Sequence, residues 1–281
     1  MKPYIFSLAT LVCFFPAYAQ VHCTAENKAR CESQLDWLSG SDLSEKPIHE
    51  IVPAVGRQLL GTPYVASTLE IEGEEQLVVD LSGLDCTTFL ENVVVFSRLA
   101  KQGKYSFDDF TRELEYLRYR GGQREAYPSR LHYFTDWIYD NQEKGIIRDI
   151  SLEIGGKPYE KNINFMSTHR SAYRQLADER FYQATRHAEA DLNTRDFCYL
   201  PKAELRALES GIRDGDLIAI TTSIPGLDVV HTGFAVWKNG RVHLMHASST
   251  NKKVEISEKP LAEYLAANKS QSGVIVCRLV E

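Results

Sequence analysis

Three side chains in this chain could do nucleophilic chemistry if folding brings them together: the thiol of Cys86 and the imidazoles of His231 and His246. Cys86 stands in Gly83-Leu84-Asp85-Cys86-Thr87-Thr88-Phe89-Leu90-Glu91. A free thiol of pKa near 8.5 is only about 3% ionised at pH 7. The unpaired N–H groups and partial positive charge of a helix N-terminus both favour the thiolate. Asp85 is a good N-cap, Thr88 lies in the first turn behind it, and Phe89, Leu90, Val93, Val94 and Ser97 follow at helical spacing. The pattern predicts a helix that starts at Cys86, with the sulfur on its inward face. A buried structural cysteine fits the same pattern, so an enzymatic reading needs a base as well.

The last third of the chain offers one. Val229 to Trp237 and Val242 to Ser249 are strand candidates joined by Lys238-Asn239-Gly240-Arg241, and Asn-Gly between alternating runs signals a tight hairpin. A two-residue turn pairs Lys238 with Arg241, Trp237 with Val242, Ala235 with Leu244, Gly233 with His246 and His231 with Ser248. Alternation then puts His231, Gly233, Ala235 and Trp237 on one sheet face with Leu244 and His246. His246 is diagonal to His231, across from a residue without a side chain, so the two imidazoles have room to meet. A base with an orienting partner is what a thiol nucleophile requires. His243 points the other way and is read as surface.

The elements that position these groups divide the chain. Ile5 to Phe15 is apolar behind Lys2, and Ala17-Tyr18-Ala19 reads as a cleavage site. Residues 1–19 are therefore a signal peptide, and the mature protein is expected to be periplasmic or secreted, with no membrane span. Residues 20–46 form a polar N-terminal extension. Residues 47–281 form a single domain, with a helical insertion at about 100–213. Helices are expected over Ile48 to Leu60, Phe107 to Tyr119, Arg130 to Tyr139 and Ser171 to Ala190. Strands are expected over Leu77 to Leu81, Ile146 to Ile154, Asp216 to Thr222 and Val274 to Val280. Helices first and strands last imply an α+β fold with an antiparallel sheet.

Composition excludes several classes. With 43% hydrophobic and 25% charged residues and a net charge of -6, nothing suggests disorder, and no basic stripe points to nucleic acid. No metal-spacing motif, nucleophile elbow or phosphate-cradling loop is present, so no cofactor is expected. Export would leave five cysteines, an odd number. Pairing of Cys23 with Cys31 and of Cys198 with Cys277 would leave Cys86 as the free thiol, though spacing alone does not decide connectivity.

Four stretches in order resemble NlpC-type cell-wall cysteine peptidases: Leu60-Gly61-Thr62-Pro63-Tyr64, the Cys86 segment, Asp214-Gly215-Asp216-Leu217-Ile218, and His231-Thr232-Gly233-Phe234 followed by His246-Ala247-Ser248. The longer stretch between them carries Tyr119-Arg120-Gly121-Gly122, Ser129 to Trp137 and Asn164-Phe165-Met166-Ser167. It is similar to the N-acetylmuramoyl-L-alanine amidase-like branch. The resemblance implies a papain-like fold, Cys86 as nucleophile, His231 as base, His246 as the third member and no metal. It implies action on peptidoglycan fragments (muropeptides) at the bond between muramic acid and L-alanine; separately, a monomer is expected. A γ-D-glutamyl endopeptidase and a non-catalytic wall-binding protein are the alternatives. Tyr64 matches the tyrosine beside the thiol in that superfamily. With Asp85, Arg120 and Arg130 it makes up the expected substrate-binding set, the arginines reaching for peptide carboxylates. Tyr133 and Trp137 could stack on sugar, although a core aromatic is the plainer reading of Trp137.

Overall fold

The computed structural model describes residues 21–281, so the expected leader lies outside the described residues. In chain order the first elements are β1 (Val21–His22), α1 (Ala25–Ser39), α2 (Ile48–Gln58), β2 (Leu77–Val78), α3 (Cys86–Gln102), α4 (Phe107–Arg118) and α5 (Phe134–Glu143). Then come β3 (Ile147–Asp149), α6 (Ser151–Ile154), β4 (Lys157–Pro158), α7 (Phe165–Thr168), α8 (Glu179–Leu192), β5 (Cys198–Pro201) and α9 (Leu205–Leu208). The last part holds β6 (Leu217–Thr222), β7 (Val229–Lys238), β8 (Arg241–Ser248), β9 (Lys253–Ile256), α10 (Leu261–Ala266) and β10 (Gln271–Leu279). The fold is mixed α+β. Its main sheet is antiparallel in the order β4-β5-β10-β6-β7-β8-β9, with β3 also pairing to β10.

Helix α3 is the centre of the larger core. Phe89, Leu90, Val93, Val94, Val95, Phe96 and Leu99 are all buried, so the helix is apolar nearly all round and is covered on every side. It packs on β7 and β8 and against α2 and α4. Phe89 meets Phe234 edge to face with ring centroids 6.0 Å apart. The opposite sheet face, carrying Ala235, Val242 and Leu244, is covered by Leu261 and Leu265 of α10. The sheet is thus buried on both faces where the hairpin lies.

Several elements differ from the sequence reading. Residues 25–39 form a helix rather than a polar lead-in, because Asn27, Cys31, Leu35 and Leu38 make a narrow buried stripe at helical spacing. Helix α5 begins at Phe134, since the segment before it runs extended: Arg130 bridges Tyr119 and the Leu131 amide donates to the Arg118 carbonyl. The alternation over 146–154 breaks at Ser151, whose amide donates to the Asp149 side chain and opens a helical turn. Of the helix expected over 171–190, only the part behind the Asp178 cap is α-helical. His243 is buried rather than on the surface, its Nδ1 2.8 Å from the Ser257 carbonyl. All five described cysteines are free thiols, so neither candidate pairing is present among them. The Cys23 thiol donates to the Thr24 carbonyl, and the β5–β10 register carries Cys198 level with Val276 rather than Cys277.

Candidate active site

The turn ahead of Cys86 is held from two directions. The Asn27 side-chain oxygen on α1 accepts the Leu81 and Ser82 amides, each at 2.9 Å. Asp80 accepts the Ser82 and Gly83 amides. Asp85 then caps α3 as its composition demands: its carboxylate accepts the Thr88 amide at 2.8 Å, and the Thr88 hydroxyl accepts the Asp85 amide at 2.9 Å. Cys86 is the first residue of the helix. Among the described residues, the Cys86 and Thr87 amides are the two first-turn donors left without an acceptor.

The hairpin has the register the turn requires. Asn239 and Gly240 both have positive φ, 51° and 74°, as a two-residue turn of this hand needs. Lys238 faces Arg241, Trp237 faces Val242 and Ala235 faces Leu244. One step further, a Cβ on Gly233 would lie 2.5 Å from the Met245 carbonyl oxygen and 3.0 Å from the His246 Cβ. Only glycine leaves this space open. His231 Nε2 and His246 Nδ1 are 2.6 Å apart, with the rings nearly perpendicular at 87°. Just before His231 the β6–β7 ladder skips a residue, Ile220 facing His231 and Thr221 facing Val229. Such bulges re-aim side chains. The Tyr264 ring of α10 meets His246 edge to face at 5.5 Å.

Thr232, beside His231 on β7, joins the hairpin to the helix: its hydroxyl donates to the Cys86 carbonyl at 2.9 Å. Burial, and then the Asp85 charge, push the Cys86 thiol above its ordinary pKa, against hydrogen bonds from Thr232 and Thr87. The helix start alone would favour the thiolate, but desolvation and the adjacent carboxylate outweigh it. Burial, reinforced by its neighbour His246, lowers His231 to about 3, and burial lowers His246 to about 4. These shifts favour a neutral thiol and two neutral imidazoles near pH 7. Each neutral imidazole has one N–H and one lone pair, so the short contact between the rings uses one of each.

Tyr64 lies alongside. Its residue bridges Leu84, its amide donates to the Lys252 carbonyl, and burial followed by the Cys86 and Asp85 charges raises its phenol. Asp85, Thr87 and Arg130 line a cavity of about 500 Å³ beside the first turn of α3, with Tyr173 and Arg174 also on its wall. Arg130 is buried and bound to Glu70 at 2.7 Å and Glu75 at 3.1 Å. Arg120 does not line this cavity; its guanidinium is bidentate to Asp136. Tyr133 donates to Glu189 and accepts the Met166 amide, and Trp137 stacks on Phe134 in the core, so both aromatics are structural. Among the described residues, no helix is long and apolar enough to cross a membrane.

The sequence reading did not reach three neighbours of this cluster: Thr232, Tyr264 and Glu255. Glu255 is the cross-strand partner of His246 on β9. The register places it there: across the turn at 249–252, Ser248 faces Lys253 and His246 faces Glu255.

Comparison with known proteins bears on what such a cluster is for. No curated protein matches the chain. A solved N-acetylmuramoyl-L-alanine amidase from Bacteroides uniformis is 37% identical, with 83% of this chain and 99% of that one covered and a TM-score of 0.80. A Bacteroides fragilis structure provisionally described as a xylanase is 36% identical, with coverage of 79% and 98% and a TM-score of 0.75. A Legionella pneumophila protein of 22% identity, covered over 91% and 95%, shares the fold at a TM-score of 0.68. Residues 54–274, most of the chain, match the family described as AmiA-like, N-acetylmuramoyl-L-alanine amidase-like, and the chain belongs to that family.

Proposed function

We propose that this protein is a papain-like cysteine amidase of the NlpC type. It cuts the amide between N-acetylmuramic acid and L-alanine in peptidoglycan fragments, acting as a monomer outside the cytoplasm after loss of residues 1–19. The observation that supports the reading is the imidazole pair at 2.6 Å on the hairpin, with Thr232, the residue after His231, donating its hydroxyl to the Cys86 backbone carbonyl at the start of α3. The nucleophile is Cys86, the base His231 and the orienting third member His246.

The sulfur attacks the lactyl carbonyl carbon while its proton passes to His231. The oxyanion is met by the free first-turn amides of Cys86 and Thr87. As the C–N bond breaks, the L-alanine nitrogen takes the proton from His231, leaving a thioester. Water then adds to the thioester carbonyl, His231 taking its proton, and the thiol is reprotonated as the muramic carboxyl leaves. Tyr64 and Asp85 flank the reacting carbonyl, and the cavity beside Arg130 takes the substrate's polar groups.

A glycosidase reading has less support. Two carboxylates must face one bond in such enzymes, whereas here Asp85 caps α3, Glu91 is buried against Arg118, and Glu70 holds Arg130. The test is digestion of a defined disaccharide-peptide by the wild type and by Cys86→Ala, with products weighed. Free stem peptide from the wild type alone is expected. A cut within the peptide would make it the endopeptidase, and equal activity in Cys86→Ala would end the cysteine mechanism. Alkylation of Cys86 that substrate binding fails to block would favour a wall-binding role elsewhere on the surface. The N-terminal residue of the exported protein checks the leader.

A further inference from the structure

We propose that Glu255 is a positioning residue that orders the protons along the two imidazoles, so that His231 presents a lone pair to the thiol. The inference rests on the Cys86–His231–His246 reading above and extends it by one residue.

The observation behind it is an unpartnered atom. His246 is buried, its Nδ1 is taken by His231, and its Nε2 has no hydrogen-bond partner. Facing that Nε2, 3.9 Å away, is the Glu255 carboxylate, directly across the β8–β9 ladder. The carboxylate is itself held, its Oε1 accepting the Asn251 side-chain amide at 2.6 Å. The remaining titratable and charged groups around the cluster are Cys86 and Asp85 from α3, Tyr64 with Lys252 over its ring, and Tyr264 from α10. Tyr264 is raised by burial and then by the Glu255 and Cys86 charges, so α10 borders both ends of the row.

Two proton arrangements satisfy the short contact between the rings. In one, His246 Nδ1–H donates to His231 Nε2. His231 then carries its proton on Nδ1 and has no base to offer, while the bare His246 Nε2 lone pair faces a carboxylate. In the other, His231 Nε2–H donates to His246 Nδ1, and His246 Nε2–H points at Glu255. This leaves the His231 Nδ1 lone pair free to take the thiol proton. A carboxylate attracts an N–H and repels a lone pair, so Glu255 selects the second arrangement. Once His231 is protonated, the same negative charge steadies the imidazolium through His246. Outer-shell partners that fix the tautomer of a metal-bound histidine are worth about 10–100-fold, and an effect on that scale is expected for the corresponding partner of His246.

The test follows kcat and kcat/KM against pH for the full chain on the disaccharide-peptide, with Glu255→Gln and Glu255→Asp. The glutamine keeps the shape and removes the charge. It is expected to lower kcat about 10–100-fold, to leave KM within about twofold, and to move the acid limb of kcat/KM to lower pH, because an imidazole pair without the carboxylate protonates less readily. Glu255→Asp should restore part of the rate. A wild-type plateau and limb would overturn the inference, and so would a slower variant with an unmoved limb, since a mere packing defect lowers the rate without moving a pKa. Nitrogen NMR of the wild-type histidines reads the tautomers whether or not a variant folds. Protons on both Nε2 atoms are expected, and a proton on His231 Nδ1 at neutral pH would overturn it. If Cys86→Ala and His231→Ala keep full activity, the parent reading fails. If they are inactive while Glu255→Gln is unaffected, only the role of Glu255 fails.

Discussion

Replacing Gly233 with alanine tests whether the empty space between the strands is what lets the imidazoles meet. The new methyl carbon would stand 2.5 Å from the Met245 carbonyl oxygen and 3.0 Å from the His246 Cβ. Ordinary contact for such atoms begins near 3.4 Å, so the shortfall against Met245 is almost an ångström. The obstructing atom is backbone in a paired strand and has no rotamer to escape into. Strands β7 and β8 must part locally, or the His246 side chain must turn away from His231. Overpacking of this kind costs about 1–3 kcal/mol, which lowers Tm by roughly 2–12 °C in a chain of this size. Even a domain of about 5 kcal/mol stability would remain about 97% folded at 25 °C after losing 3. The rate should suffer far more, since displacing a reacting group by about 1 Å can cost about 100-fold. The assay pairs a melting curve with kcat on the disaccharide-peptide. A folded variant with activity within about twofold of wild type would refute the reasoning.

Two further outcomes follow from the same electrostatics. Asp85→Asn keeps an N-cap, so stability should change by no more than about 1 kcal/mol. The thiol loses its nearest raising charge, and the pH profile of Cys86 alkylation should therefore shift to lower pH; an unmoved profile would leave burial as the sole cause. Acid should also weaken the fold before it reaches the ordinary carboxylate range. His231 and His246 have folded pKa values of about 3 and 4, below the unfolded value near 6.5, and His132 is lowered to about 3 by burial and by Arg130. The unfolded chain thus binds more protons, and stability present above pH 6.5 is lost as pH falls. Asp228, Glu75 and Asp149, raised by burial, oppose this, since a carboxyl with a raised folded pKa gains stability as pH falls through that pKa. Melting temperature should be flat above about pH 7 and fall between pH 6.5 and 5.5; a flat curve through that window would count against buried neutral histidines.

How much was legible depended on whether local residues fixed geometry. The Asn239-Gly240 turn admits one register, so the diagonal between His231 and His246 could be counted from the letters alone. Asp85 and Thr88 announce the start of α3 in the same way. Glu255 went unread because β9 has four residues and its turn carries a positive φ on Lys252 rather than on glycine, so no strand signal marks it. Helix α1 was hidden by its narrow buried stripe. His243 alternates outward on a sheet assumed to have one wet face, yet the backbone at Ser257 meets it there. Burial from both sides is a tertiary fact, and strand alternation cannot announce it.

The acid–base state of the cluster was the least legible feature, and it alters the mechanism. The chain's local pattern, a cysteine at a helix start, points to a resting thiolate. The folded surroundings reverse this: burial and Asp85 raise the thiol, and burial lowers His231. In the proposed reaction no ion pair waits in the empty site, and proton transfer accompanies attack. The free amides of Cys86 and Thr87 then have no resting anion to stabilise. They act on the oxyanion, which exists only once the carbonyl has been attacked, and an interaction that strengthens only there raises kcat rather than tightening ground-state binding. In the same proposed reaction Asp85 anchors the helix that carries those amides, and its charge adds to burial in raising the thiol.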